Sequence, residues 1–130
     1  VESLSTWGPT IGFDVGLPIA AIPAYLEEID KPIAAQWPDR KLAVFGHLGD
    51  GNLHIVYAVG ENGDNTKKFI NNAVYRPLAS REGSVSAEHG IGLQKKDYLT
   101  VSRSTAEIGL MKQLKAMMDP NNILNPGKIF

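Results

Sequence analysis

KLAVFGHLGDGNLHIVYAV, residues 41–59, is the clearest element in the chain. Two apolar, β-prone runs, 41–47 and 53–59, flank a glycine-rich centre in which Asp50-Gly51 is a turn signal. The stretch therefore reads as a β-hairpin. A turn accounts for the glycines and for Asp-Gly-Asn. It does not account for a histidine at each end. His47 and His54 are two of the chain's three histidines, and six residues separate them.

The other elements fall around this hairpin. Upstream, TIGFDVGL reads as a short strand over residues 10–16, ended by Pro18. A helix follows, with Ile22, Leu26, Ile29 and Ile33 at helical spacing and Pro23 near its start. Pro32 is expected to interrupt or end it. Downstream, GENGDN ends the second hairpin strand, and Asp64 or Asn65 is placed to cap a helix. That helix carries Phe69, Ala73 and Val74 on its apolar side, with Pro77 as a kink. GSVSAEHGIG, residues 83–92, reads as a brief strand entering a glycine-rich bend. Ser104 and Glu107 form a capping box for a last helix that stops at Asp119-Pro120. Its Ile108, Met111, Leu114, Lys115 and Met118 lie near one face, which reads as core. The order strand, helix, strand, strand, helix, strand is that of the split βαβ, ferredoxin-like fold. The expectation is an α+β domain with an antiparallel sheet, helices on one face and additional C-terminal helices.

Composition bounds the function. A length of 130 residues suits one domain. A net charge of -1 offers no basic field for nucleic acid. With no cysteine there is no disulfide framework and no thiolate metal site, which fits a reducing, cytoplasmic setting. No apolar run approaches the roughly 20 residues of a membrane span. The chain opens VESLSTWGPT, without Met, and reads as a piece of a longer protein.

Residues directly opposed in an antiparallel pair have Cβ atoms about 5 Å apart. If the register opposes His47 and His54, both imidazoles leave the same face. Glu88, beside the third histidine His89 in SAEHG, would complete a set of two His and one carboxylate. Such a set leaves positions open on Zn or Fe(II). Spacing alone leaves a second reading standing, in which both histidines are structural. GHLGDG lacks the Lys-Ser/Thr of a phosphate loop, GDNTKK lacks the acidic ladder of an EF-hand, and Ser84 and Ser86 sit in no nucleophile elbow. Lys95-Lys96 reads as a solvated pair.

Three motifs, GHLGDGNLH, GSVSAEHGIGLQKKDYL and MDPNNILNPGK, together resemble the C-terminal domain of the FAD-linked oxidases. These are flavin-dependent 2-hydroxyacid dehydrogenases of the D-lactate dehydrogenase, glycolate oxidase flavin subunit and D-2-hydroxyglutarate dehydrogenase group. The resemblance runs from about Asp14 to the C-terminus. It implies that His47, His54 and Glu88 hold a divalent metal, with zinc the first choice, and that His89 is the base for the substrate hydroxyl. It also implies that Asn125, in LNPGK, approaches the flavin. The implied cofactors are this metal and FAD, the latter bound mainly by an N-terminal domain absent from these residues. The implied partner is a small 2-hydroxyacid, oxidised to a 2-oxoacid. The electron acceptor is left unspecified, and a homo-oligomer is compatible with the resemblance.

Two positions depart from the family pattern. Relatives often carry Asn two residues after the second histidine, where this chain has Val56. Several carry Lys just before Phe13-Asp14, where this chain has Gly12. Two other function classes stand beside the oxidoreductase: a non-catalytic metal- or ligand-binding ferredoxin-like domain, and a metal-dependent hydrolase. By itself the 130-residue chain is expected neither to retain FAD nor to oxidise hydroxyacids. Catalytic dye reduction by the purified chain would overturn that expectation.

Overall fold

A computed structural model describes residues 2–130. Strands β1 (Ile11–Gly16), β2 (Lys41–His47) and β3 (Asn52–Ala58) form an antiparallel sheet in the order β1-β3-β2. The hairpin closes through a 3-10 turn, Leu48–Asp50, and Gly51 in the left-handed region. Helix α1 (Ile22–Gln36) crosses from β1 to β2, and α2 (Asp64–Tyr75) follows β3. This is the expected α+β arrangement.

Alternation along the strands sorts residues to two faces. Ile11, Phe13 and Val15 of β1 and Leu53, Ile55 and Tyr57 of β3 are buried. They pack in one cluster with Ile22, Tyr25, Ile29 and Ile33 of α1 and with Ile70, Val74 and Tyr75 of α2. Burying each such side chain contributes about 1.5–3 kcal/mol. Phe13 meets Tyr75 edge-to-face at 5.2 Å, and Trp37 meets Phe69 likewise at 5.4 Å. The Tyr25 hydroxyl donates to the carbonyl of Val74, which satisfies the polar tip of a fully buried ring.

Several local expectations change. Helix α1 runs through Pro32 to Gln36. The lost backbone bond costs about 3 kcal/mol, but Ile29 and Ile33 on either side are fully buried, and ending the helix would expose Ile33. The cap of α2 is Gly63, without a side-chain bond, and Asp64 is the first helical residue. The buried face of α2 is Thr66, Ile70 and Val74, while Phe69 sits on the rim. At Pro77 the helix gives way to a 3-10 segment, Arg76–Arg81.

The fourth strand contracts to one antiparallel bridge, Gly16 with Ser84. It lies on the free edge of β1, where a ferredoxin-like sheet places its last strand. Pairing stops there because the next residues turn to satisfy side chains, with Val85 N–H donating to Ser102 Oγ at 2.8 Å and Ser86 Oγ donating to Asp14 at 3.0 Å. A 3-10 turn and α3 (Leu99–Ser102) lead to α4 (Thr105–Met118), whose Ser104–Glu107 capping box forms as expected. The α4 face is not core. No residue of α4 is buried, and Leu110, Leu114, Met117 and Met118 are exposed. Its periodicity makes the helix amphipathic, but the apolar side is only partly covered: Ile108 and Met111 are half-buried, with Met111 at a cavity shared with Val85 and Leu99. Among the described residues no helix is long and apolar enough to cross a membrane.

Gly51 fixes the hairpin against the end of β1. Its φ is +68°, its carbonyl accepts from Leu17 N–H at 3.0 Å, and a Cβ there would meet the Leu17 carbonyl oxygen at 2.2 Å. Gly51→Ala is therefore expected to cost about 2–4 kcal/mol in urea unfolding. Gly49→Ala, where an added Cβ meets nothing within 4 Å, is expected to cost less than about 1 kcal/mol. Equal losses would refute the steric account.

Candidate active site

The sheet face turned away from α1 and α2 carries the site. Asp14 pairs with His54 across β1 and β3, and Phe45 pairs with His54 across β2 and β3. His47 pairs with Asn52. The two hairpin histidines are thus diagonal neighbours on one face, not directly opposed, with ring centroids 6.4 Å apart. Long side chains on such diagonals still reach one another.

The loop after the Gly16–Ser84 bridge crosses this face and delivers the third histidine. His89 stacks on His54 with centroids 5.6 Å apart and planes inclined by 25°. Glu88 places one carboxylate oxygen 3.6 Å from His47 Nε2 and the other 3.7 Å from His54 Nε2. One ligand atom from each of the three residues lies within 4.8 Å of the others. Both contacts are too long for hydrogen bonds. They are near the separation of about 3.4 Å that two ligand atoms show around a tetrahedral zinc with bonds of about 2.1 Å. Beside them Asn52, 4% exposed, has an Oδ1 without a hydrogen-bond partner among the described residues. A donor set of two imidazoles and a carboxylate, next to an unmatched buried acceptor, fits a divalent ion.

From His54 and His89 a groove of about 860 Å³ extends over the open face. Gly12, Phe45 and Val56 line it from the sheet, Ile91 and Leu93 from the loop, and Lys128 from the tail. The tail is held there because Ile129 N–H donates to the Gly92 carbonyl at 2.9 Å and Lys96 Nζ donates to the Gly127 carbonyl at 2.8 Å. Asn125 lies outside the groove lining, exposed, with a φ of +49°.

Two residues of the site escape a sequence reading. Asp14 is 1% exposed and accepts from Ser86 Oγ at 3.0 Å, from Glu88 N–H at 3.0 Å and from His89 N–H at 2.8 Å. Lys95 is not solvated but buried, with Nζ donating to Ser86 Oγ at 2.9 Å and lying 3.4 Å from Asp14. Burial alone would raise the Asp14 pKa. The N–H groups of His89 and Glu88, the Ser86 hydroxyl and the Lys95 charge outweigh it and hold the carboxyl at about 2. Burial lowers the Lys95 pKa, and the Asp14 charge opposes that. The single sequence signal for Asp14 was a charge between Phe13 and Val15 in an apolar strand.

Residues 5–129 match the family model for the FAD linked oxidases, C-terminal domain. The chain belongs to this family. It is 43% identical over 134 residues to D-2-hydroxyglutarate dehydrogenase of Stutzerimonas stutzeri, covering 99% of this chain and 29% of the relative. It is 42% identical to the Xanthomonas citri pv. viticola protein of the same name, over 99% of this chain and 28% of that relative. A Saccharomyces cerevisiae D-2-hydroxyglutarate–pyruvate transhydrogenase is 47% identical over 91 residues, 70% of this chain and 18% of that relative. The chain thus spans less than a third of the length of these relatives.

Because the Asp14 pKa is depressed from 3.8 to about 2, its contribution is complete above about pH 4 and is lost as pH falls toward 2. The linkage is about 2 kcal/mol. Urea unfolding between pH 5 and 2.5 is expected to show this loss in the wild type, with a shallower pH dependence in Asp14→Asn. An identical pH dependence in the two proteins would contradict it.

Proposed function

We propose that this domain is the substrate-binding, C-terminal part of an FAD-dependent oxidoreductase that converts a 2-hydroxyacid to a 2-oxoacid. In this reading the flavin-binding region belongs to the remainder of a longer protein, which the chain's coverage of less than a third of its relatives' length supports. One observation carries the reading: the imidazole of His89, outside the three-ligand set, stacks on its member His54 at the end of an open groove with room for a small organic acid. Membership in the FAD-linked oxidases supports it, as do relatives named for D-2-hydroxyglutarate.

His47, His54 and Glu88 would hold a divalent ion, zinc by the donor set. When bound, that ion supplies positive charge that draws a hydroxyacid's carboxylate and makes its hydroxyl more acidic, and FAD supplies the two-electron acceptor. The chain's own residues do the rest. The Nδ1 of His89 faces Asp14 at 3.8 Å, which leaves Nε2 to accept the hydroxyl proton. Removing that proton lets the Cα–H bond break with its electron pair, and the carbon becomes a carbonyl. Phe45, Val56, Ile91 and Leu93 offer an apolar wall to the substrate chain. Lys128, at the same groove, is a cation for an anionic group, in a site where Gly12 supplies none.

The reading is tested on the full-length protein with a dye acceptor and a panel of 2-hydroxyacids, D-2-hydroxyglutarate first. Oxoacid formation is expected, abolished by chelator and restored by zinc. In His89→Ala, kcat is expected to fall by about 10²–10⁴-fold with KM nearly unchanged. No turnover of any hydroxyacid would sink the reading, and an unchanged kcat would remove His89 as the base.

A further inference from the structure

We infer that Asp14 is a positioning residue of this site: its buried carboxylate grips the backbone of Glu88 and His89 and so holds a metal ligand and the proton acceptor against His54. The inference rests on the roles proposed above for Glu88 and His89.

The geometry is specific to that job. Asp14 and His54 are cross-strand partners on the open face. The loop arriving from Ser84 has no ladder to dock on after its single bridge. It docks on a side chain instead. Glu88 N–H reaches both oxygens of Asp14, at 3.2 and 3.0 Å, and His89 N–H reaches Oδ2 at 2.8 Å. Two consecutive amides on one carboxylate fix the direction in which both side chains leave the backbone. Ser86 and Lys95 close the other side of the carboxylate. Every one of these partners is a donor, so the group they surround must be an acceptor only. An aspartate satisfies all of them, whereas an amide would turn an N–H₂ toward at least one of them. Glu88 and His89 are themselves exposed, with side-chain exposures of 47% and 65%. Beyond their contacts with His47 and His54, it is the grip on their backbone that sets where they stand.

The test measures zinc affinity, by competition with a chromophoric chelator, and steady-state kinetics on the full-length flavoprotein. Asp14→Asn is expected to weaken zinc by about 10–100-fold and to lower kcat at saturating zinc at least about tenfold, with KM changed less than about threefold. Asp30→Asn is the control. It removes an aspartate paired with Arg40 and Tyr57 on the covered side of the sheet, so it is expected to lower the melting temperature and leave zinc affinity within about twofold. Asp14→Asn with zinc affinity and kcat within about twofold of wild type overturns the inference. So does an equal loss of zinc affinity in Asp30→Asn, which would make the effect one of general stability. If Asp14→Asn does not fold, Ser86→Ala carries the test. It loosens one side of the carboxylate and leaves Lys95 one acceptor short, so a lower melting temperature and, in the folded protein well below that temperature, about threefold weaker zinc binding are expected, while unchanged affinity overturns the role. Wild-type protein that binds no zinc defeats the metal role proposed for His47, His54 and Glu88, and absence of hydroxyacid turnover defeats the functional reading itself. Zinc binding that is equal in wild type and Asp14→Asn defeats only the positioning role.

Discussion

Strand β3 is paired on both sides, and its register controls everything on the open face. Leu53, Ile55 and Tyr57 must point into the helices, because all three are buried there. A slip of one residue would expose them and turn His54 and Val56 into the core. The apolar core thus fixes where His54 stands, and with it the cross-strand neighbours Asp14 and Phe45. The turn is locked to the same register by the Gly51 carbonyl, which accepts from Leu17 N–H. Chemistry on one face is a consequence of packing on the other.

The second constraint is the cost of a buried charge. Asp14 sits at 1% exposure, and an unpaired carboxylate there would be strongly destabilising. It remains ionised because four donor groups converge on it. Three of the four come from the loop 86–89 and the fourth from Lys95. The same bonds therefore stabilise the carboxylate and order the loop that carries Glu88 and His89. The charge of Lys95 is in turn tolerated because Asp14 and Ser86 receive it.

The hairpin was legible because its signals are local: two β-prone runs, a polar break and Asp-Gly. The sheet order and the two covering helices followed from the sequence of elements, and the family motifs pointed to His47, His54, Glu88 and His89. The fourth strand was overread because GSVS looks like a strand while its polar groups are spent on Asp14 and Ser102. Asp14 and Lys95 were not legible because they lie 81 residues apart in the chain, and a Lys-Lys pair carries no local sign of burial. The α4 face was read as core because periodicity reports amphipathicity and not what covers it. In the fold Leu114 and Met118 of that face are exposed, and Ile108 and Met111 are only half-buried.

The central claim is that packing on one side of the sheet places two imidazoles and a carboxylate around one divalent ion on the other. X-ray absorption at the metal edge of the zinc-loaded full-length protein tests it most directly. The expected spectrum contains multiple scattering from two imidazoles, reduced to one in His54→Ala. A spectrum without imidazole scattering, or one that His54→Ala leaves unaltered, would contradict the account.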